Sequence, residues 1–225
     1  MTDEGATKKG RPAVTQTRQN GEETRTKIIN AAELLFGKLS FDTVSLRDIT
    51  VQADVTLALA SYHFRTKENL FAAVVARRAE VLNRIRRERL AAVDKKGKPT
   101  LETLLDAFMH PLFEQMKGDD EGWRAYLLLL ASMGTSERWL PYLHENFDET
   151  ANLFIERLKR LLPDVEEEDL LRGFSMILVL MLQTVSKNRR LDTLSDGRYL
   201  SSDLDKSYAL LLKFALAGLN ALRKG

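Results

Sequence analysis

The fold of this 225-residue chain is decided by one stretch, SLRDITVQADVTLALASYHFRTKENLF, residues 45–71. Ser45 precedes an apolar run with helical spacing and Asp48 follows three residues later, which is the pattern of a capping box at a helix start. Asp54 tolerates the left-handed backbone of a tight turn, and Thr56 can cap a second helix that runs to about residue 62. Two short helices joined by a turn are typical of a helix-turn-helix.

Longer helices are predicted on both sides of this pair. Residues 24–39 place an apolar stripe on one face, formed by Ile28, Ile29, Ala32, Leu35, Phe36 and Leu39. Gly37 in this helix costs about 1 kcal/mol relative to Ala, so either the helix frays there or its backbone packs closely against a neighbour. After the pair, Thr66 can cap a fourth helix that starts at Lys67 and extends to about residue 93.

Residues 24–75 resemble the DNA-binding domain of the TetR (tetracycline-repressor-like) family of bacterial regulators. The residues that carry the resemblance are Ala31, Leu35, Phe36, Thr43, Val44, Arg47, Asp48, Ile49, Ala53, Val55, Tyr62-His63-Phe64, Lys67, Glu68 and Leu70. Two positions depart from the pattern: Asp54 stands where the family usually has Gly, and Leu59-Ala60 inverts the usual small-then-large pair. The resemblance implies an all-α protein, in which a long fourth helix joins a three-helix helix-turn-helix head to a helical ligand-binding and dimerisation body.

The same resemblance implies which side chains meet DNA. Phosphate or groove-edge contacts are expected from Ser45, Arg47 and Lys67, whereas the major groove would be faced by Thr56, Leu57, Ala58, Ser61 and Tyr62. His63 is expected to pack or to lie on the phosphate side, and Tyr62 could equally be a wall of the domain. Leu57 can contact a thymine methyl group, and no groove-facing Arg or Lys is available for guanine, so A/T-containing half-sites are predicted.

Charge and composition predict three regions: a disordered basic arm (1–21), a DNA-binding domain (22–75) and a body (76–225). Residues 1–98 carry 19 Lys/Arg against 12 Asp/Glu, and residues 99–225 carry 15 against 20. A basic head on an acidic body suits a polyanion-binding module beside a sensor. In the arm, Lys9-Gly10-Arg11-Pro12 resembles the core of an AT-hook, so Arg11 could enter a narrow A/T minor groove; a solvated tail is the alternative.

The body is predicted to be helical throughout, over residues 100–116, 121–133, 137–162 with a bend near Pro141, 166–190 and 201–223. The last two helices are apolar on more than one side, which indicates burial on two sides. In the TetR family such helices pair across a two-fold axis, so a homodimer through 166–190 and 201–223, and an operator with an inverted repeat, are implied. The fourth helix carries six arginines, and for most of them a solvated face is favoured over long-range attraction for DNA: Arg77, Arg78, Arg84, Arg86, Arg87 and Arg89.

The resemblance also implies a pocket for a small-molecule effector, whose walls would be apolar with few polar groups. Candidate pocket residues are Phe108, Met109, Phe113, Trp123, Tyr126, Trp139, Phe147, Met176 and Gln183. For any one of them, ordinary core packing is favoured over a ligand contact. An apolar or amphipathic effector that releases a repressor from DNA is expected, although the sequence does not fix the sign of regulation.

Other functional classes fit less well. The chain has three separated His and no Cys, and it shows no zinc-binding spacing, phosphate loop or nucleophile elbow. No catalytic residue, metal or cofactor is therefore predicted. The residues that follow Met1 lack the apolar core of a secretory signal, and no apolar run approaches membrane-spanning length, so a cytoplasmic, nucleoid-associated protein is expected. A DNA-bound structural or protein-recruiting factor without a small-molecule ligand is the remaining alternative.

Overall fold

The computed structural model describes residues 13–134, 136–186 and 189–224, and within these ranges it is helical without any strand. The α-helices are α1 (Ala13–Leu39), α2 (Leu46–Ala53), α3 (Leu57–Phe64), α4 (Lys67–Lys95), α5 (Leu101–Lys117), α6 (Glu121–Met133), α7 (Leu140–Leu143), α8 (Glu149–Leu161), α9 (Glu167–Val185), α10 (Arg190–Leu194) and α11 (Leu204–Ala221). A 3-10 turn, Glu137–Trp139, precedes α7, and a π-helical turn, His144–Asp148, follows it. The predicted all-α class is confirmed.

The start of α1 corrects the predicted arm. The helix begins at Ala13 and not near residue 24, so residues 13–21 belong to it and are not a disordered segment. Residues 18–20 are exposed and the buried residues of α1 begin at Ile28. An extension without an apolar stripe carries no periodic signal, which is why the sequence pattern placed the start too late. Residues 1–12, including Arg11 and the AT-hook-like motif, lie outside the described residues.

The head packs directly on the body through α1 and α6. A Cβ added to Gly37 would lie 2.3 Å from the carbonyl oxygen of Ala125 on α6. Of the two explanations for this Gly, close packing against a neighbour is therefore what the structure shows. The buried apolar residues form one continuous cluster that passes from Ile28 and Phe71 in the head to Phe108 and Phe174 in the body.

The predicted helix over 137–162 is divided into four pieces. Pro141 lies in the first turn of α7, where its missing N–H leaves no hydrogen bond unmade. The π-helical turn after it is a rare element that is frequently found at functional sites, and α8 then continues from Glu149. The predicted helix over 166–190 likewise ends early at Val185 and is followed by the short α10.

No helix among the described residues has the length and apolar character needed to cross a membrane.

Candidate DNA-reading surface and ligand cavity

The helix-turn-helix begins at a complete capping box. The Asp48 N–H donates to Ser45 Oγ over 3.1 Å, and the Ser45 N–H donates to Asp48 Oδ2 over 2.8 Å. The Ser45 hydroxyl also donates to Asp48 Oδ2 over 2.6 Å. This bond is the largest cause, ahead of the bond from the Ser45 N–H, of a lowered pKa of the Asp48 carboxyl. Ile49 and Ala53 are buried and fix α2 to the head. The predicted cap and inward face of this helix are confirmed.

The turn between α2 and α3 is set by Asp54 and Thr56. Asp54 adopts the left-handed conformation (φ 53°, ψ 51°) expected for it, and the following Val55 N–H donates to the Thr50 carbonyl over 3.0 Å. Thr56 caps α3 by accepting the Leu59 N–H over 3.4 Å. The predicted turn is therefore confirmed, with a non-Gly residue at its left-handed position.

Helix α3 has one buried face and one exposed face. Ala60 and Phe64 are buried against the head, whereas the opposite side chains face outward: Leu57, Ala58, Leu59, Ser61 and Tyr62. Leu57 is 46% exposed and Tyr62 is 80% exposed, and several large exposed apolar or aromatic side chains on one short helix mark an interaction site. The sequence prediction did not place Leu59 on this face. The sequence did contain a signal for Leu59. Leu59 and Ala60 are neighbours on one helix and point in different directions, so if Ala60 packs against the head, Leu59 points outward.

The charged residues near α3 differ from the prediction at one position. Arg47, on α2, and Arg65, which directly follows α3, are exposed. Lys67 instead points into the head, where its ammonium donates to the carbonyls of Phe41 (2.9 Å) and Val44 (3.0 Å). It also lies 4.1 Å from the centre of the Phe41 ring. The phosphate contact predicted for Lys67 is corrected to a structural role, because its donors already bind the loop before α2.

His63, also on α3, is half-buried. Its ring lies 5.2 Å from that of Tyr62 and 6.1 Å from that of Phe64. It therefore packs at the side of the reading face.

An ion cluster around the buried Glu33, formed by Glu33, Arg77, Arg78 and Asp120, joins α1, α4 and the start of α6. Arg78 Nε and Nη2 donate to the two Glu33 oxygens over 2.9 and 2.8 Å, and Arg78 Nη1 donates to Asp120 Oδ2 over 2.8 Å. Arg77 pairs with Glu33 over 2.7 Å. Burial alone would lower the pKa of Arg78, but hydrogen bonds to Glu33 and Asp120 outweigh it and raise that pKa. Reciprocally, the bond from Arg78 lowers the pKa of Asp120.

An aromatic cluster makes the second contact between head and body. It consists of Phe36, Phe41, Phe71, Trp139 and Tyr142, with ring centres 4.6 Å apart for Phe71 and Trp139 and 5.3 Å apart for Phe71 and Tyr142. Trp139 and Tyr142 belong to the segment of residues 137–148, which includes the 3-10 turn, α7 and the π-helical turn. This segment, hereafter the 137–148 segment, is therefore attached to the head.

The same segment forms one wall of a cavity in the body, with a volume of about 300 Å³. Helices α4, α5, α6, α8 and α9 supply the other walls. The lining residues are mostly apolar: Leu82, Arg86, Phe108, Leu112, Leu130, Gly134, Leu140, Leu143, Phe147, Asp148, Ala151, Ser175, Leu178, Val179, Met181 and Leu182. An apolar cavity with a few polar groups is the usual form of a small-molecule site.

Only part of the predicted pocket lies at this cavity. Phe108 and Phe147 line it. Met109, Phe113, Trp123 and Tyr126 are buried in the core, where Tyr126 donates its hydroxyl to the Val75 carbonyl, and Trp139 packs on the head. Met176 and Gln183 lie on the exposed side of α9. These seven placements correct the prediction, because aromatic content identifies large core residues without showing which of them border a void.

Two charged lining residues, Arg86 and Asp148, were not predicted. Arg86 is an exception to the solvated face predicted for most arginines of the fourth helix, because only 4% of the residue is exposed. A signal was available in the spacing: Arg86 follows the apolar Leu82 by four residues, which places both side chains on one helix face.

The outer faces of the last helices expose many large apolar side chains. They are Leu171, Met176, Val179 and Leu180 on α9, Leu191 and Leu194 on α10, Tyr199 and Leu200 before α11, and Leu210 and Phe214 on α11. An exposed apolar surface of this kind marks an interaction site in a folded protein. Among the described residues, no group of three or more His, Asp or Glu is arranged to hold a metal ion.

Comparisons with known proteins agree on one family. A sequence model described as tetracycline repressor-like, C-terminal domain, matches residues 106–218, and one described as bacterial regulatory proteins, tetR family, matches residues 28–74. No curated protein sequence matches the chain significantly.

Solved structures share the fold at low identity. SmeT, the repressor of the Stenotrophomonas maltophilia multidrug efflux pump SmeDEF, is 18% identical with a TM-score of 0.58, over 90% of this chain and 93% of that one. SCO4454 from Streptomyces coelicolor, a TetR-family regulator, is 17% identical (TM-score 0.54; 90% and 97% covered). The multidrug binding protein EbrR, complexed with malachite green, is 23% identical (TM-score 0.52; 81% and 96% covered). With both family models matched on a helix-turn-helix head and a helical body, the chain belongs to the TetR family of bacterial transcriptional regulators.

Proposed function

We propose that this regulator is a homodimeric repressor, which binds an inverted-repeat operator and is released by an apolar or amphipathic small molecule. One observation carries the proposal: the 137–148 segment contacts the head on one side and the effector cavity on the other. A change in the shape of the cavity can therefore reach the DNA-binding head through direct packing.

Sequence reading is assigned to the outer face of α3. Leu57 and Leu59 offer apolar contacts to thymine methyl groups, and Ser61 and Tyr62 offer hydroxyl groups. Arg47 and Arg65 are exposed and are suited to phosphates, which position the protein without specifying sequence. Since α3 carries no Arg or Lys, half-sites that contain A/T pairs are proposed.

Dimerisation is assigned to the exposed apolar residues of α9 and α11. These two helices pack on each other within the chain, because a Cβ on Gly173 would lie 2.9 Å from the Leu219 side chain. Their outer residues Met176, Val179 and Phe214 remain exposed, and a second copy of the chain would bury them. A two-fold dimer presents two copies of α3 and so favours an inverted repeat.

Release by an effector requires two conformations with different affinity for it. Helix α4 starts at the head and reaches Arg86 at the cavity after about 28 Å, at 1.5 Å per residue. A ligand in the cavity would press on α4 and on the 137–148 segment together. The descriptions of SmeT as a repressor and of EbrR as a multidrug binding protein support this proposal. The cavity favours it over the alternative of a structural or protein-recruiting factor, which would need no space for a ligand.

Selection of bound sites from random duplex DNA by the purified, ligand-free protein tests the proposal. We expect enrichment of an inverted repeat with A/T-containing half-sites. Leu57→Ala should change the preferred bases, because it removes a contact that reads sequence. Arg47→Ala should weaken binding evenly across sequences and lower its salt dependence, because it removes a phosphate contact.

Leu39→Ala is the matched control. Leu39 is an exposed leucine at the end of α1 and not on α3. The neighbouring Lys38 pairs with Glu121 on the body, so Leu39 lies near the contact between head and body. It should alter neither the selected sequence nor the affinity. Failure to enrich any site would refute sequence-specific DNA binding, and an unchanged preference in Leu57→Ala would refute the assignment of α3 as the reading helix.

A further inference from the structure

Arg86 lies at the wall of the cavity and is almost fully withdrawn from solvent. Its Nε donates to the Phe108 carbonyl over 2.9 Å, and its guanidinium carbon lies 4.1 Å from the centre of the Phe108 ring. A guanidinium has five N–H donors. In the described part of the chain the Nε–H alone has a hydrogen-bond acceptor, so four donors on Nη1 and Nη2 have no protein partner.

The other arginines of α4 are satisfied differently. Arg78 pairs with Glu33, Arg87 approaches Glu80, and Arg89 pairs with Glu114. No carboxylate pairs with Arg86 within the ranges that the structure describes. Arg86 is thus the most deeply buried of these cations, and it is the one that lacks an anion.

Burial of this charge has an electrostatic consequence. Loss of hydration disfavours the charged form and lowers the pKa of Arg86 to about 9, which still leaves the group protonated at neutral pH. The nearby Tyr126 supplies no negative charge, because burial raises the pKa of its hydroxyl. A buried charge is unfavourable unless it is paired. The cavity therefore contains a fixed positive charge and apolar walls, with space between them.

We propose that Arg86 binds the anionic head group of an amphipathic effector, whose apolar part packs against the leucines of the cavity. A carboxylate fits best, because the planar guanidinium can donate two parallel hydrogen bonds to its oxygens. The inference rests on the proposed effector site and specifies its ligand class.

Asp148 is the other charged group of the cavity and limits the ligand to one anion. Its carboxylate is 53% exposed and lies 2.8 Å from Nδ1 of His144, on the π-helical turn. It therefore lies at the solvent side of the cavity, where it would repel a second negative group. A ligand with one negative charge therefore fits the cavity. Its charge pairs with Arg86, its chain packs among Leu112, Leu130 and Leu182, and it brings no second negative group to Asp148.

Calorimetric titration of the full-length protein with three probes of equal chain length tests this inference. The probes are decanoate, decan-1-ol and decyltrimethylammonium; the two ionic probes are kept below their micellar concentrations and decan-1-ol below its solubility limit. We expect decanoate to bind at least roughly tenfold more tightly than decan-1-ol, and the cationic probe to bind more weakly than either. The comparison isolates the head group, because the apolar contribution of the chain is the same in all three.

Arg86→Met should reduce the decanoate-to-decanol ratio to near one while leaving decanol binding in place. Arg86→Lys, which keeps the charge without the planar fork, should give an intermediate ratio, and it serves if the Met variant does not fold. Arg87→Met is the matched control. Arg87 is the next residue on α4, donates a hydrogen bond to the Thr150 hydroxyl on α8, and does not line the cavity. It should keep the wild-type ratio.

Equal binding of decanoate and decanol by the wild type would overturn the inference, as would an unchanged ratio in both Arg86 variants or no binding of any probe. The DNA selection described above does not depend on these titrations. An enriched operator together with no preference for the anion would remove the role of Arg86 and leave the regulator in place. Anion binding without any selected DNA site would keep the role of Arg86 and refute sequence-specific DNA binding.

Discussion

Arg78 and Arg86 lie on the same helix, two turns apart, and both are withdrawn from water. Arg78 meets Glu33 and Asp120 at the contact between head and body, so every charge there has a partner. Arg86 meets a carbonyl and an aromatic ring at the cavity, and its charge has no counterion among the described residues. The charges of the first region are balanced as folded. The charge of the second is balanced only when an anion binds.

This difference assigns separate tasks to the two regions. The ion cluster and the Gly37 contact hold α1, α4 and α6 together and preserve the position of the head. The cavity is bordered by the 137–148 segment, whose π-helical turn includes Asn146, held by an Asn83 side chain over 2.6 Å. Regions that respond to ligands are drawn from the less stable parts of a fold. We therefore expect substitutions at the first region to affect stability and substitutions at the second to affect ligand response.

The largest contrast is expected between Arg78→Met and Arg86→Met. Arg78→Met leaves Asp120 without its ion pair and Glu33 with Arg77 alone, which should lower the unfolding free energy by about 3 kcal/mol. Arg86→Met strands no carboxylate and removes one hydrogen bond, from Arg86 Nε to the Phe108 carbonyl, so its effect should stay within about 1 kcal/mol. Chemical denaturation at one protein concentration measures both. Equal losses would show that the two arginines are not differently satisfied.

Gly37→Ala should give the next largest loss of stability. The new methyl group would overlap the Ala125 backbone, so α1 has to move away from α6, at a cost of about 2 kcal/mol. Gly21→Ala is the matched control on the same helix, since nothing lies within 4 Å of a Cβ there. It should raise stability by about 0.5–1 kcal/mol. A neutral Gly37→Ala would mean that head and body do not pack this closely in solution.

The pH dependence of stability should change in Asp120→Asn. The hydrogen bond from Arg78, with its charge, keeps the pKa of folded Asp120 below the ordinary value of 3.8. Its contribution is therefore complete above that value and is lost as the pH falls through the lower folded pKa. Asn retains the helix cap but not this titration. The free energy of unfolding should fall more steeply below about pH 4 for the wild type than for Asp120→Asn. Parallel pH profiles of this free energy would exclude the ion pair as a source of stability.

The smallest expected change is at Asp54. Its left-handed backbone (φ 53°) favours Gly, so Asp54→Gly should raise stability by roughly 0.5 kcal/mol after the greater chain entropy of Gly is included. Asp54→Val should lower it, since a β-branched residue is strongly disfavoured there. Thermal denaturation measures both. A rise in both variants would show that the turn does not depend on its left-handed residue.

The head could be predicted from sequence more fully than the body. Helices α2, α3 and α4 begin at local caps, Ser45, Thr56 and Thr66, so their starts follow from nearby residues. The inward turn of Lys67 could not be predicted, because its acceptors at Phe41 and Val44 lie far away in the sequence. The cavity was harder still. A void is defined by residues from six parts of the chain, and an aromatic such as Trp123 has the same sequence signature in a core as at a pocket wall.

The most direct test of the coupling between cavity and head is the affinity of the protein for its selected duplex, measured with and without the compound that raises its Tm most in a screen that includes decanoate. We predict that saturating compound weakens DNA binding by at least roughly tenfold, and that DNA weakens compound binding by the same factor. In Trp139→Leu, where the contact with Phe71 is reduced, the compound should still bind but release less DNA. Unchanged DNA affinity in the wild type at saturation would contradict the proposed regulation.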